Sequence, residues 1–183
     1  MWGTMGRKQT AAVIVLTGLL WLTNYLIMGA TAAMVAACFL LSTLLVLSIK
    51  DWKTHVIPPG INLFIAGLGA VNLILDRERW QIHILGLLCG GVLFLSVYYL
   101  TKRKGIGGGD VKLMAAAGLY LGWEQVIVAS FFGCLYACVI HLLRMRFGKA
   151  GAVFALGPYL AAGIVTALWF GEAIVAWYIQ WSV

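Results

Sequence analysis

Ala32-Ala33-Met34-Val35-Ala36-Ala37-Cys38-Phe39-Leu40-Leu41-Ser42-Thr43-Leu44-Leu45-Val46-Leu47-Ser48-Ile49, followed without a break by Lys50-Asp51-Trp52-Lys53, decides how this chain is read. An uncharged run of that length makes a helix of about 27 Å, at 1.5 Å per residue. That nearly spans the ~30 Å hydrocarbon core of a bilayer. The run then ends on an aspartate set between lysines. An ionisable residue at the edge of a hydrocarbon layer is costly, and by default it marks a working site.

Working outward, six further apolar runs share the pattern. Thr10–Met28, Ala32–Ile49, Ile61–Leu75, Ile82–Leu100, Val111–Gly122, Val126–Leu143 and Ala152–Phe170 read as seven helices. The chain is 63% hydrophobic and only 10% charged, against about a quarter charged in a soluble domain. The expected fold is therefore an all-α integral membrane protein, a polytopic bundle of six to seven transmembrane helices. At 183 residues one bundle uses nearly the whole chain. We expect a single membrane-embedded domain, with residues 1–30 an extra N-terminal helix and 31–183 the core. The first run is longer than a usual signal-peptide core and reads as a retained helix.

The net charge of +7 is better explained by where the cations lie than by a nucleic-acid partner. With the N-terminus inside, Arg7, Lys8, Lys50, Lys53, Lys102, Arg103, Lys104, Lys112, Arg144, Arg146 and Lys149 fall on one side, leaving only Arg77 and Arg79 on the other. Such an asymmetry assigns the first side to the cytoplasm, against anionic lipid. Asp51 and Asp110 then both arrive at the cytoplasmic face.

Asp110 follows Gly105-Ile106-Gly107-Gly108-Gly109 and opens the short run Val111–Gly122. Glycines there remove side chains where the chain must turn sharply or approach something closely. Two carboxylates held together can share one proton and divide acid and base duties, which activates water without a metal or cofactor. The blander readings are an N-cap for the next helix at Asp110 and a solvated surface pair at Asp51. Lys112 either pairs with a carboxylate or marks the lipid boundary, and His55 more often than not simply sits at a surface. Gly86 with Gly90, and Gly118 with Gly122, have the small-xxx-small spacing of close helix packing. Gly157-Pro158 should kink the final span or start a regular segment after a break.

Other chemistries are poorly supported. Cys38, Cys89, Cys134 and Cys138 form no CxxC pair, and Cys134 and Cys138 read as buried small apolar residues on one helix face. His83 and His141 have no partner at metal-ligand spacing, no HExxH occurs, and no serine lies in a GxSxG setting.

Gly105-Ile106-Gly107-Gly108-Gly109-Asp110-Val111-Lys112-Leu113-Met114-Ala115-Ala116-Ala117-Gly118 resembles the signature of type IV prepilin peptidases, the Gly-x-Gly-Asp membrane aspartyl proteases. Asp51-Trp52-Lys53-Thr54-His55-Val56-Ile57-Pro58 resembles the family's other motif, with Pro59 where Asn is usual. Gly157-Pro158-Tyr159-Leu160-Ala161-Ala162-Gly163 resembles a late segment. The resemblance implies an endopeptidase with Asp51 and Asp110 catalytic. It gives Gly107, Gly108, Gly109 and Lys112 supporting or substrate-binding places. It also implies prepilin- or pseudopilin-like substrates cleaved at the cytoplasmic face of the plasma membrane. Larger bacterial members carry a CxxC-containing cytoplasmic loop associated with N-methylation. Here Met28 to Ala32 is a tight turn, so methyltransferase activity is not expected. A proton-coupled transporter using paired carboxylates is the alternative, although no charge sits at mid-span and no inverted repeat is visible. The oligomeric state is not legible.

Overall fold

The computed structural model describes residues 7–102, 105–147 and 155–182. They form seven α-helices: α1 (Arg7–Met28), α2 (Ala32–Thr54), α3 (Pro59–Leu75), α4 (Trp80–Leu100), α5 (Gly108–Leu121), α6 (Trp123–Arg146) and α7 (Gly157–Ser182), with a single 3-10 turn at Arg77–Arg79. Among the described residues there is no strand, as the apolar runs require. Arg103, Lys104 and Lys149, and the start of the expected last span at Ala152, lie outside the described residues.

Local chemistry explains where the helices differ from the apolar runs. The Thr31 side chain caps α2 by accepting the Met34 N–H at 3.1 Å. At the other end α2 does not stop at Ile49. It continues through Asp51 to Thr54 and closes on His55, which is left-handed at φ 51°, its N–H donating to the Asp51 carbonyl at 2.8 Å. Pro59 opens α3, where a missing N–H breaks no helical bond. The break before Pro158 is a start and not a kink: α7 begins at Gly157.

Five helices (α1, α2, α4, α6 and α7) are long and apolar enough to cross a membrane, and α3 is a shorter apolar helix of 17 residues. The 14 residues of α5 reach only about 21 Å. Its sides meet protein: Leu113, Met114, Ala116, Ala117 and Tyr120 are all buried in the core. A short helix with a glycine-rich entry is tolerated at membrane depth when neighbours enclose it. Conversely Leu63, Val92, Phe131 and Leu142 stand exposed on outer faces, as lipid-facing positions should.

Glycine sets how closely the helices approach. A Cβ on Gly86 would collide with the Gly118 carbonyl and with Gly122, and one on Gly90 with the Met114 carbonyl, so α4 and α5 touch backbone to backbone. The two expected glycine pairs thus face one another. Gly163 of α7 meets Ala129 and Gly133 of α6 in the same way. The outermost helix, α1, is held by polar pins. The fully buried Asn24 donates to the Met34 carbonyl at 3.2 Å and accepts the Trp169 indole N–H at 3.3 Å.

Up-and-down connectivity brings the last turns of α2 and α6 and the first turns of α3, α5 and α7 to one end of the bundle. Three contacts join them there: Asn62 to Gly109, Gly157 to Asp51, and the Arg144 guanidinium 5.4 Å over the Trp52 ring. Both aspartates belong to this end.

Candidate active site

Asp51 lies in the last turn of α2 and is only 5% exposed. This excludes the solvated surface pair. Its Oδ2 accepts the Gly157 backbone N–H at 2.8 Å. Gly157 is the first residue of α7, so that N–H has no partner within its own helix. The positive end of the α7 dipole also favours a carboxylate there.

Asp110 lies in the first turn of α5 and is 8% exposed. Its Oδ2 accepts the Gly107 N–H at 3.0 Å, and its own N–H donates to the Gly107 carbonyl at 3.1 Å. The N-cap position itself belongs to Gly107; Asp110 reaches back to it from inside the helix. Burial pushes the Asp110 carboxyl up to about 6, against the pull of the Gly107 N–H, and the charge of Asp51 pushes it further the same way. The two carboxylates, from helices far apart in sequence, are therefore within electrostatic reach of one another.

The glycines before Asp110 serve close approach and not a left-handed turn, for none of Gly107, Gly108 and Gly109 has a positive φ. A Cβ on Gly109 would sit 3.0 Å from the Ile57 Cβ, and one on Gly107 3.1 Å from the Asp110 Oδ2. Gly108 would meet nothing within 4 Å. Lys112 is exposed and, among the described residues, forms no ion pair with either aspartate. The reason is helical geometry: two residues at about 100° each turn it roughly 200° away from Asp110.

Two polar partners of the site carry no signature in sequence. Gly157 reads in sequence only as a helix break, yet it supplies the N–H on Asp51. Asn62 had no motif around it, yet its Nδ2 donates to the Gly109 carbonyl at 3.0 Å. His55 caps α2 and is exposed. His83 is buried at the opposite end, its Nδ1 3.0 Å from the Leu119 carbonyl and its Nε2 3.7 Å from Asp76. Cys134 and Cys138 are free thiols on an exposed face of α6, not core residues as expected. An i, i+4 stripe on an outer transmembrane face looks as apolar in sequence as an inner one.

Residues 38–142, which include both aspartates, match the type IV leader peptidase family. The chain belongs to that family. Among curated proteins similar to it is a Bacillus subtilis prepilin leader peptidase/N-methyltransferase, 32% identical over 157 residues, covering 83% of this chain and 62% of that protein. Proteins of the same name from Pectobacterium carotovorum (31% over 163 residues; 84% and 55% covered) and Burkholderia pseudomallei (33% over 153; 78% and 48% covered) are similar as well. The chain thus spans about half to three-fifths of the length of these relatives. No solved structure matches. Family membership and the five long apolar helices make this a multi-pass membrane protein of a peptidase family. The transporter alternative finds no support among the relatives.

Proposed function

We propose that this protein is an aspartic-type endopeptidase that removes the leader of type IV prepilin- or pseudopilin-like precursors, with Asp51 and Asp110 as its catalytic pair. The observation that carries the proposal is the convergence of two buried carboxylates at one end of the bundle, close enough for the charge of Asp51 to raise the pKa of Asp110. Two carboxylates within electrostatic reach of one another can share one proton and divide acid and base duties. The ionised carboxylate takes a proton from water as the water oxygen bonds the scissile carbonyl carbon. The protonated carboxyl hydrogen-bonds the carbonyl oxygen and donates to it. As the tetrahedral diol collapses and the C–N bond breaks, one proton passes from the pair to the leaving amine and one returns to the pair from a diol hydroxyl, so the pair again holds one proton. No step requires a metal or cofactor.

The cation asymmetry favours an N-terminus in the cytoplasm and an active site at the cytoplasmic face of the plasma membrane. An apolar substrate helix could then stay in lipid while its basic leader reaches the aspartates. We place the peptidase in one unit, residues 31–183, with α1 added against α2 and α7. N-methyltransferase activity belongs to the names of the longer relatives. In this chain α1 and α2 are joined by a tight turn, and no cysteine pair of CxxC spacing occurs. We therefore assign cleavage alone.

The test is incubation of the purified protein with a prepilin-type precursor, followed by sequencing of the new amino terminus and its mass. One cut and an unmethylated product are expected, with both Asp51→Asn and Asp110→Asn inactive. Wild-type cleavage by either variant would refute the pair.

A further inference from the structure

Asn62 is 5% exposed in the first turn of α3, eleven residues after Asp51. Its Nδ2 donates to the Gly109 carbonyl at 3.0 Å. The orientation of the amide is fixed by chemistry, since a carbonyl can only accept. That carbonyl belongs to the peptide unit whose N–H is Asp110's own, and this N–H is held by the Gly107 carbonyl at 3.1 Å. The peptide plane leading into Asp110 is therefore gripped at both polar ends. Ile57, in the α2–α3 connection five residues before Asn62, closes on Gly109 from the side.

The Asn62 Oδ1, by contrast, is buried without a hydrogen-bond partner among the described residues. A buried acceptor left unpaired is unfavourable, and native proteins carry few of them. An apolar side chain would remove the unpaired Oδ1 but leave the Gly109 carbonyl without its donor, so the use of an asparagine here lies in that single bond.

We propose that Asn62 is a positioning residue that sets the separation of the two aspartates. The α2–α3 connection carries Asp51 at its head and grips the Asp110 peptide through Asn62. It acts as a strut between two side chains that no covalent segment shorter than 59 residues joins. The inference rests on the reading of Asp51 and Asp110 as the catalytic pair.

The molecule contains its own control. Asn72, at the other end of α3, donates to the Tyr120 carbonyl near the other end of α5 at 2.9 Å. The bond is of the same kind between the same two helices, but remote from the aspartates.

The experiment compares Asn62→Leu, Asn72→Leu, Asp51→Asn and Asp110→Asn in the full chain, purified in detergent. Thermal unfolding is measured beside steady-state cleavage of a prepilin-type precursor. Asn62→Leu, which exchanges an unpaired Oδ1 for an unpaired Gly109 carbonyl, should stay folded and melt near or somewhat below the wild-type temperature while kcat falls about 10-fold or more and KM stays within about two-fold, as misplacement of a reacting group predicts. Asn72→Leu should keep kcat within about two-fold. Should Asn62→Leu not accumulate, Asn62→Ser, whose hydroxyl is too short to reach Gly109, must show the same loss of kcat. Wild-type kcat in the Asn62 variant, or an equal loss in Asn72→Leu, overturns the inference. Full cleavage by the two aspartate variants would instead sink the catalytic pair, whereas their inactivity beside an active Asn62→Leu sinks the strut alone.

Discussion

Substituting Gly157 by alanine tests the site at the contact that is least visible in the sequence. A Cβ at this position would stand 2.7 Å from the Asp51 Oδ2, 3.0 Å from its Cγ and 3.1 Å from its Cβ. Ordinary van der Waals contact begins at 3.4 Å, so the carboxylate or the head of α7 must retreat by about 0.7 Å, the difference between 3.4 and 2.7 Å. A retreat of that size weakens or breaks the 2.8 Å bond from the Gly157 N–H. A hydrogen bond to a charged group contributes about 1.5–3 kcal/mol, which corresponds to roughly 10- to 150-fold in rate. The assay is kcat/KM for a prepilin-type precursor in detergent or proteoliposomes, beside a thermal melt to confirm folding. Gly67→Ala is the matched control, since a Cβ there meets nothing within 4 Å on an exposed face of α3. It should leave cleavage unchanged and stabilise the helix by up to about 1 kcal/mol. A folded Gly157→Ala variant cleaving within about two-fold of wild type would refute the argument that this N–H places Asp51.

Asp110→Asn should abolish cleavage and stabilise the fold at neutral pH. The folded-state pKa of Asp110, about 6, exceeds its ordinary value of 3.8. The folded state therefore holds the proton more tightly, and its stability is lost as pH rises from about 3.8 to 6. The asparagine escapes that loss, which amounts to at most about 3 kcal/mol for a carboxyl moved from 3.8 to about 6. Melting temperatures should thus favour the variant at pH 7.5 and converge near pH 4; a gap that widens toward acid would contradict the sign. Within the glycine run, Gly108→Ala should be tolerated and Gly109→Ala should reduce cleavage. Only the latter presses on Ile57, and equal activity of the two variants would remove the close-approach argument.

Much of this protein was written in its hydropathy. Apolar runs bounded by charge predicted seven helices in the right order, with errors of up to five residues at most ends, where capping by Thr31, His55 and Pro59 decides, but α7 runs twelve residues beyond the expected Phe170, to Ser182. Asp51 and Asp110 were legible because a carboxylate ending a lipid-length run is physically conspicuous. The glycine pairs of α4 and α5 were legible from spacing alone. Lys112 reads as a supporting residue because it lies beside Asp110 in sequence. Only the turn of α5 shows that it faces away.

Hydropathy and charge set only one-dimensional facts: the number of helices, their order, and which charges lie at their ends. Tertiary structure alone decided that Asp51 meets Gly157, 106 residues away, and that the peptide before Asp110 meets Asn62, 47 residues away. Hydrophobic periodicity reports which residues leave water and carries no record of which helix lies beside which. A backbone N–H or carbonyl, common to nearly every residue, becomes a specific partner only when packing delivers it to a buried carboxylate or amide.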